Sequence, residues 1–318
     1  MDLIIFGSTS NICKIRVFNN INNISYLFNN IYCYGYEDWS QKDFIKYFQK
    51  NIVLKEDNII NKIIFIKGNY NLKDYLTKLK FIKKNTIIYV STPPICYKDI
   101  INFSKNKDIK AIFEKPLALN FSDFITLKKY INNNIFMIDH FLYKKDIINI
   151  IEKYKNKEFK YIKFLFHYND DLEERLKYIN HTGFFIDMFQ SHFLSILFLL
   201  NKNIIKNLLN SSILKFYKKQ YNNFGGNKNI DTYFYLELKL NDIILIFESG
   251  KKMKIKEKFI IIDNNKFKIN DYENEYELFF KDFILNINFK NIILKQELFW
   301  KITNYIIENN KNTIIEKY

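Results

Sequence analysis

The chain of 318 residues is poor in the residues that usually punctuate a fold: 7 glycines, 3 prolines, 3 cysteines and 2 tryptophans. Cys13, Cys33 and Cys96 are odd in number and far apart, and no Cys-x-x-Cys or Cys/His ligand spacing is present. That excludes a disulfide framework and a structural zinc site, and it points to a reduced, cytoplasmic setting. No apolar run approaches the roughly 20 residues of a membrane span. The opening Met-Asp-Leu-Ile-Ile-Phe lacks the basic leader of a signal peptide, so no membrane partner is expected. Nor does any basic run alternate with aromatics as a single-strand nucleic-acid platform requires.

What abounds is Ile, Asn, Lys, Phe and Tyr, residues whose codons are mainly A and T. Genome-wide nucleotide bias, as in a shrunken symbiont or organelle genome, accounts for this alphabet. The net charge of +15 is read in that light. Its lysines are spread along the chain on solvated faces, so no nucleic-acid partner is expected. With 48% hydrophobic and 26% charged residues, the chain can bury a sizeable core in one large or two ordinary domains.

Short apolar runs recur through the first part of the chain: Leu3 to Phe6, Ile31 to Tyr34, Ile63 to Ile66, Thr86 to Val90, Ile109 to Phe113 and Ile135 to Ile138. Helical patterns lie between most of them, the first from about Ile12. Alternating strand and helix predicts a Rossmann-like, doubly wound parallel sheet over residues 1–143. Residues 144–318 read as an α+β domain. Its strands (Phe159 to Phe166, Ile213 to Phe216, Tyr233 to Leu240, Ile243 to Phe247, Phe259 to Ile262) predict a largely antiparallel sheet. Helices are expected at Asp187 to Leu200, Glu275 to Ile287 and Gln296 to Ile307.

The polar signatures of the first domain lie just after strands, where open α/β sheets bind ligands. Gly7-Ser8-Thr9-Ser10-Asn11 fills the first strand-to-helix turn, where a pyrophosphate would meet backbone N–H groups. Only one of the usual fingerprint glycines is present. Lys14 could add charge there. Glu37 and Asp38 follow the second strand; an acid there suits a ribose 2′-hydroxyl, and no arginine is near. All three prolines (Pro93, Pro94, Pro116) directly follow strands. Lys115 sits at the mouth of the sheet, and Lys251 ends a strand with Lys254 and Lys256 behind it. Of the four histidines (His140, His167, His181, His192), His140 and His192 each lie near an aspartate. A carboxylate that orients an imidazole is the minimal equipment of a general base.

Taken in order, these segments resemble the glucose-6-phosphate dehydrogenase family. The carriers are Gly7 through Asn11, Ile12 and Lys14; Phe65 through Tyr70; Thr92-Pro93-Pro94 with Tyr97; and Glu114-Lys115-Pro116. Further on come Asp139-His140-Phe141-Leu142-Tyr143-Lys144; Gly183 through Asp187 to Gln190-Ser191-His192; Ser249 through Met253; and Tyr276-Glu277 through Asp282. The chain departs from the family in being shorter. Ser10 and Asn11 replace a glycine and an aspartate, Phe141 replaces a tyrosine and Tyr143 a glycine. No arginine stands ready for an NADP 2′-phosphate.

The resemblance implies oxidation of glucose 6-phosphate to the phosphogluconolactone, with hydride passing to NADP, or to NAD. His192 would be the base and Asp139 its partner. His140 and Lys144 would bind the phosphate, Lys115, Asp187 and Lys251 would orient the sugar hydroxyls, and Phe141 and Lys256 would also belong to the substrate site. The cofactor would lie along Gly7, Ser8, Thr9, Ser10, Asn11, Ile12, Lys14, Thr92, Pro93, Pro94, Tyr97 and Lys115. Asp170 and Asp171 are candidates for a sugar-binding acid. A homodimer through the second-domain sheet is implied, and no metal. Two alternatives stand beside this reading. One is a sugar oxidoreductase of the inositol-dehydrogenase or glucose-fructose-oxidoreductase type, which typically uses a tighter Asp-x-x-x-His spacing. The other is a decayed, non-catalytic homologue.

Overall fold

The computed structural model describes residues 1–52, 57–68, 79, 82, 85–169, 184–221, 230–271, 274–285, 293–309 and 314–317. Asn69, Tyr70, Asp170, Asp171, His181 and Gly183 lie outside the described residues. Contacts group the chain into two compact units. One comprises Met1–Ala118, Ile125–Tyr143 and Glu273–Ile293; the other comprises Leu119–Phe124, Lys144–Tyr272 and Leu294–Tyr318.

The first unit is built on strands β1 (Asp2–Phe6), β2 (Ile31–Gly35), β3 (Ile63–Lys67), β4 (Thr86–Val90), β5 (Lys110–Phe113) and β6 (Ile135–Met137). They pair in the order β3-β2-β1-β4-β5-β6, all parallel. This is the doubly wound dinucleotide-binding order, with its switch point between β1 and β4. Every residue of β4 is buried. A strand covered on both faces has no polar side, so the sequence shows continuous apolar runs rather than alternation.

Crossover helices cover the sheet. Helix Gln41–Lys50 starts at a reciprocal capping box between Ser40 and Asp43 and buries Phe44 and Phe48 against Phe18, at ring separations of 6.2 and 4.8 Å. Helix Tyr97–Lys107 ends where Asp108 turns left-handed at φ 54°. A third helix, Glu275–Leu285, belongs to this unit although it follows the second unit's sheet in sequence. Its apolar face seats Phe280 on Tyr89, Phe283 on Phe136 and Phe279 on Tyr143. A fully buried ring of this size contributes roughly 2 kcal/mol of transfer free energy. Tyr143 is thus a core residue.

The second unit carries β7 (Tyr161–His167), β8 (Ser212–Tyr221), β9 (Ile230–Leu240), β10 (Ile243–Gly250), β11 (Glu257–Ile262), β12 (Asn265–Lys268) and β13 (Ile314–Lys317). Their order is β12-β11-β7-β10-β9-β8-β13. The sheet is largely antiparallel, with parallel pairings at β7/β10 and β8/β13. Its inner face presents Phe164, Phe166, Phe234 and Phe247, which pack on Phe185, Phe189 and Phe193. Strand β7 alternates buried and half-buried along its length, as a sheet covered on one side should.

The helix expected over Asp187 to Leu200 is two things. Ile186–Phe193 is a π-helical turn, and Leu194–Leu200 continues as α-helix. A second π turn, Cys13–Val17, leads into helix Phe18–Asn23 after β1. Among the described residues no helix is long and apolar enough to cross a membrane.

Candidate active site

In the first unit the turn after β1 faces the end of β4. Gly7 has φ 75°, and a Cβ there would lie 3.0 Å from the Ser91 carbonyl. Glycine is therefore required both for the turn and for the close approach. Ser91 Oγ stands 2.9 Å from Phe6 O and 3.0 Å from Gly7 O. It also receives the Ser10 hydroxyl at 3.2 Å and lies 3.1 Å from Cys13 Sγ. Ser10 Oγ accepts from the Cys13 N–H at 3.3 Å, the bond of a helix N-cap. The Ser10 side chain thus ties the turn to the end of β4. Ser8 is fully buried, and its Oγ has no hydrogen-bond partner among the described residues. An orphaned hydroxyl and a glycine cradle at the switch point fit a dinucleotide pyrophosphate. Asn11 and Lys14 are exposed, and Ile12 is half-buried.

At the end of β2, a Cβ on Gly35 would lie 2.6 Å from Glu37 Oε2 and 2.9 Å from Thr9 Cγ2. The Glu37 carboxylate is therefore folded back over the strand end, beside the β1 turn. Asp38 instead pairs with Lys67 on the surface. Of the proline loop after β4, Pro93 is exposed while Thr92 and Pro94 are half-buried. Tyr97 is buried, and its hydroxyl donates to Glu114 O at 3.0 Å. It braces the loop after β5.

That loop, Glu114-Lys115-Pro116, has a cis Lys115–Pro116 peptide. The buried Glu114 carboxylate accepts from Tyr89 at 2.5 Å and from Tyr276 at 2.8 Å, both at Oε1. Burial first, and then the charge of Glu114, push both phenols well above their ordinary range. They stay protonated donors and hold the carboxylate in place. Tyr276 in turn stacks on the His140 ring, centroids 5.7 Å apart and planes 17° from parallel. Asp139 is buried, with Oδ1 accepting from the Phe141 N–H at 3.1 Å. The short helical turn His140–Tyr143 follows. The first unit so brings together Glu114, Tyr276, His140 and Asp139, with Lys115 half-buried beside Glu114.

The second unit gathers a lysine cluster. Lys144, 3% exposed in its side chain, reaches Asp271 Oδ1 at 3.4 Å and Asn270 O at 3.3 Å. Lys258, 6% exposed, reaches the same oxygen at 2.6 Å. Lys256 meets Oδ2 at 3.2 Å from a half-exposed position. Asn270 is fixed by Asp146, whose Oδ2 accepts from its backbone N–H and its amide, each at 2.9 Å. Burial works to raise the Asp271 carboxyl and to lower the Lys258 amine. For Asp271 the Lys258 hydrogen bond and the charges of Lys258 and Lys144 prevail, holding it below the usual carboxylate range. Burial prevails at Lys258, which ends below its ordinary value. Three cations share one carboxylate, a surplus that suits a dianion.

Sequence reasoning missed Lys258 and Asp271. Strand β11 alternates half-buried and buried, and Lys258 shares the inward parity of Ile260 and Ile262. A charge at a core-facing strand position was the available signal.

Asp187, Gln190, Ser191 and His192 are all buried in the π turn. In an α-helix, positions five apart point to different faces. A π turn bonds i to i+5, so Asp187 and His192 fall one turn apart on a common face. Gln190 Nε2 donates to Gln296 Oε1 at 2.6 Å, and Ser191 Oγ donates to Gln190 Oε1 at 3.1 Å. Lys251 is buried, its ammonium 4.9 Å from the centre of the Tyr168 ring. Lys258 reaches the same ring at 4.5 Å.

Residues 4–149 match the family model described as the NAD binding domain of glucose-6-phosphate dehydrogenase. The chain is 26% identical over 251 residues to the glucose-6-phosphate 1-dehydrogenase of Buchnera aphidicola from Acyrthosiphon pisum, covering 67% of this chain and 51% of that one. It is 24% identical over 314 residues to the enzyme of the same name from Borreliella burgdorferi, covering 76% and 65%. The chain spans between half and two thirds of the length of these relatives. A solved glucose-6-phosphate dehydrogenase in complex with glucose-6-phosphate has the same fold, with TM-score 0.73, 16% identity and coverage of 100% and 94%.

Proposed function

We propose that the chain, similar to glucose-6-phosphate dehydrogenases through its first domain and beyond, is a member of that family and oxidises glucose 6-phosphate at the anomeric carbon. The product is 6-phosphogluconolactone, in the oxidative branch of glucose metabolism. The observation that carries this reading is the buried pair Lys144 and Lys258 sharing Asp271 with Lys256. An unphosphorylated sugar would leave that surplus of positive charge without a use.

The roles follow the chemistry of each group. The phosphate meets Lys144, Lys258, Lys256 and the His140 ring. Phe141 offers no hydroxyl to it, so the lysines carry most of that binding. Lys115, Asp187 and Lys251 take the sugar hydroxyls. His192 accepts the proton of the anomeric hydroxyl, and Asp139 holds the charged imidazole that results. The bound nicotinamide dinucleotide supplies the hydride acceptor. The β1 turn from Gly7 to Ser10 holds its pyrophosphate, and the Thr92-Pro93-Pro94 loop walls the crevice. General base catalysis supplies roughly 10²–10⁴-fold, and positioning supplies more.

The outer face of the second sheet keeps Tyr161, Leu165, Tyr233, Tyr235, Phe259 and Ile261 half-exposed. The same face carries Lys163, Glu237 and Glu248, and a mixed face of large half-exposed rings and charges supports a homodimer of two such sheets. The three cysteines are free, which supports a cytoplasmic setting.

The test is a nicotinamide absorbance assay with glucose 6-phosphate and each dinucleotide, on the wild type and on His192→Asn. Turnover that collapses in the variant supports the reaction and its base. Folded protein without turnover on either dinucleotide refutes the dehydrogenase reading and leaves the decayed homologue.

A further inference from the structure

The family resemblance implies NADP, yet the crevice after β2 is built for a different ribose. Glu37 Oε2 is buried and has no hydrogen-bond partner among the described residues. It lies over Gly35, where any Cβ would come within 2.6 Å of it, and Thr9 of the β1 turn closes on the same point. Tyr47 lines the crevice: its hydroxyl donates to Thr9 O at 3.3 Å, and its ring lies 5.0 Å from that of Trp39. Burial first, then coupling to the Cys13 thiol and the Glu37 carboxylate, push that phenol up to about 12, so it remains neutral. The chain has two arginines in all, Arg16 and Arg175, and neither lies in the segment of sequence directly after β2. Lys67, at the end of β3, is held by Asp38.

We propose that Glu37 makes this chain select NAD over NADP, its buried oxygen accepting the adenosine-ribose 2′-hydroxyl and repelling a 2′-phosphate. A hydroxyl gives the orphaned acceptor the donor it lacks. A phosphate would instead set at least one further negative charge a few ångströms from a carboxylate. At the effective dielectric of a part-buried site that repulsion is worth about tenfold in affinity or more. The inference rests on the dinucleotide reading of the β1 turn.

The experiment is calorimetric titration of the full chain with NADH, NADPH, ADP-ribose and 2′-phospho-ADP-ribose, which reads binding without turnover. The expected result is NADH bound at least about tenfold more tightly than NADPH, with the fragments following the same order. In Glu37→Gln the ratio should shrink about tenfold or more, because the charge goes and a hydrogen-bonding group stays. In Glu37→Asp, NADPH should remain excluded while NADH weakens, because the shorter side chain keeps its charge and loses its reach. Equal binding of the two dinucleotides, tighter NADPH, or a ratio unmoved in Glu37→Gln overturns the inference while the dinucleotide site stands. Folded chain that binds none of the four ligands overturns the dinucleotide site, and the inference with it.

Discussion

Replacing Asp271 with asparagine should unmask the charge stored in the second unit. The carboxylate is the shared partner of Lys144, Lys256 and Lys258, two of which are 3% and 6% exposed. Removing one partner of a fully buried ion pair costs about 3–5 kcal/mol. Asp271 is 34% exposed, so solvent screens part of that loss, and about 2–3 kcal/mol is the expected destabilisation. Urea unfolding in a chloride buffer measures it. Inorganic phosphate should then return most of the loss, because an anion bound only by the folded chain stabilises it by roughly 2.7 kcal/mol at a hundredfold excess over its Kd. The wild type should gain less, since Asp271 competes with the anion for the same ammonium groups. The double variant Asp271→Asn/Lys258→Met should recover stability without phosphate, as a buried charge is removed along with its partner. Loss of less than about 1 kcal/mol, or equal gains from phosphate in both proteins, would refute the reading of this cluster as a charged anion site.

Glu248 gives a pH prediction. Burial alone would raise its carboxyl, but hydrogen bonds from His167 and Lys163 and the charge of Lys163 bring it down to about 2. Its contribution is then present above the unfolded value near 4.5 and is lost as pH falls through about 2. Glu248→Gln should flatten acid unfolding over that window and cost about 3 kcal/mol at neutral pH, by urea titration at each pH. Gly35→Ala should cost about 1–3 kcal/mol and weaken dinucleotide binding, because Thr9 and Glu37 must give way; unchanged affinity by calorimetry would count against the crevice. Among the thiols, Cys13 is fully buried and pushed up to about 12 by that burial, and Cys33 is pushed well above its ordinary value for the same reason. A thiol reagent should therefore label only the half-buried Cys96 in the native chain, and Cys96→Ser should abolish that labelling.

The first sheet was legible because its strands are buried on both faces and read as apolar runs closed by turn residues. The motifs at their ends were legible for the same reason: Gly7, Glu114 and Asp139 each directly follow such a run. Helix Glu275–Leu285 could be read as a helix, but nothing in its own periodicity shows that it returns to the first unit. That information lies in long-range pairs such as Tyr276 with Glu114. Lys258 was hidden by the abundance of lysine. In a chain where most lysines are solvated, only strand parity separates the buried one from the rest. The short β12 and β13 carried too little pattern to find.

The π turn at Ile186–Phe193 bears on how this chain is compared with others. Such a turn is an α-helix that has accepted one extra residue, and the rest of the helix keeps its phase around it. Two lineages that place an acid and a histidine side by side with spacings of five and of four would thus differ by a single inserted codon. A gap inside a helix is usually treated as an alignment error. Here it would mark the place where one lineage re-aimed its histidine. Deleting one residue between Asp187 and His192 would then give the backbone a regular α turn and leave the acid and the histidine four apart, still on a common face.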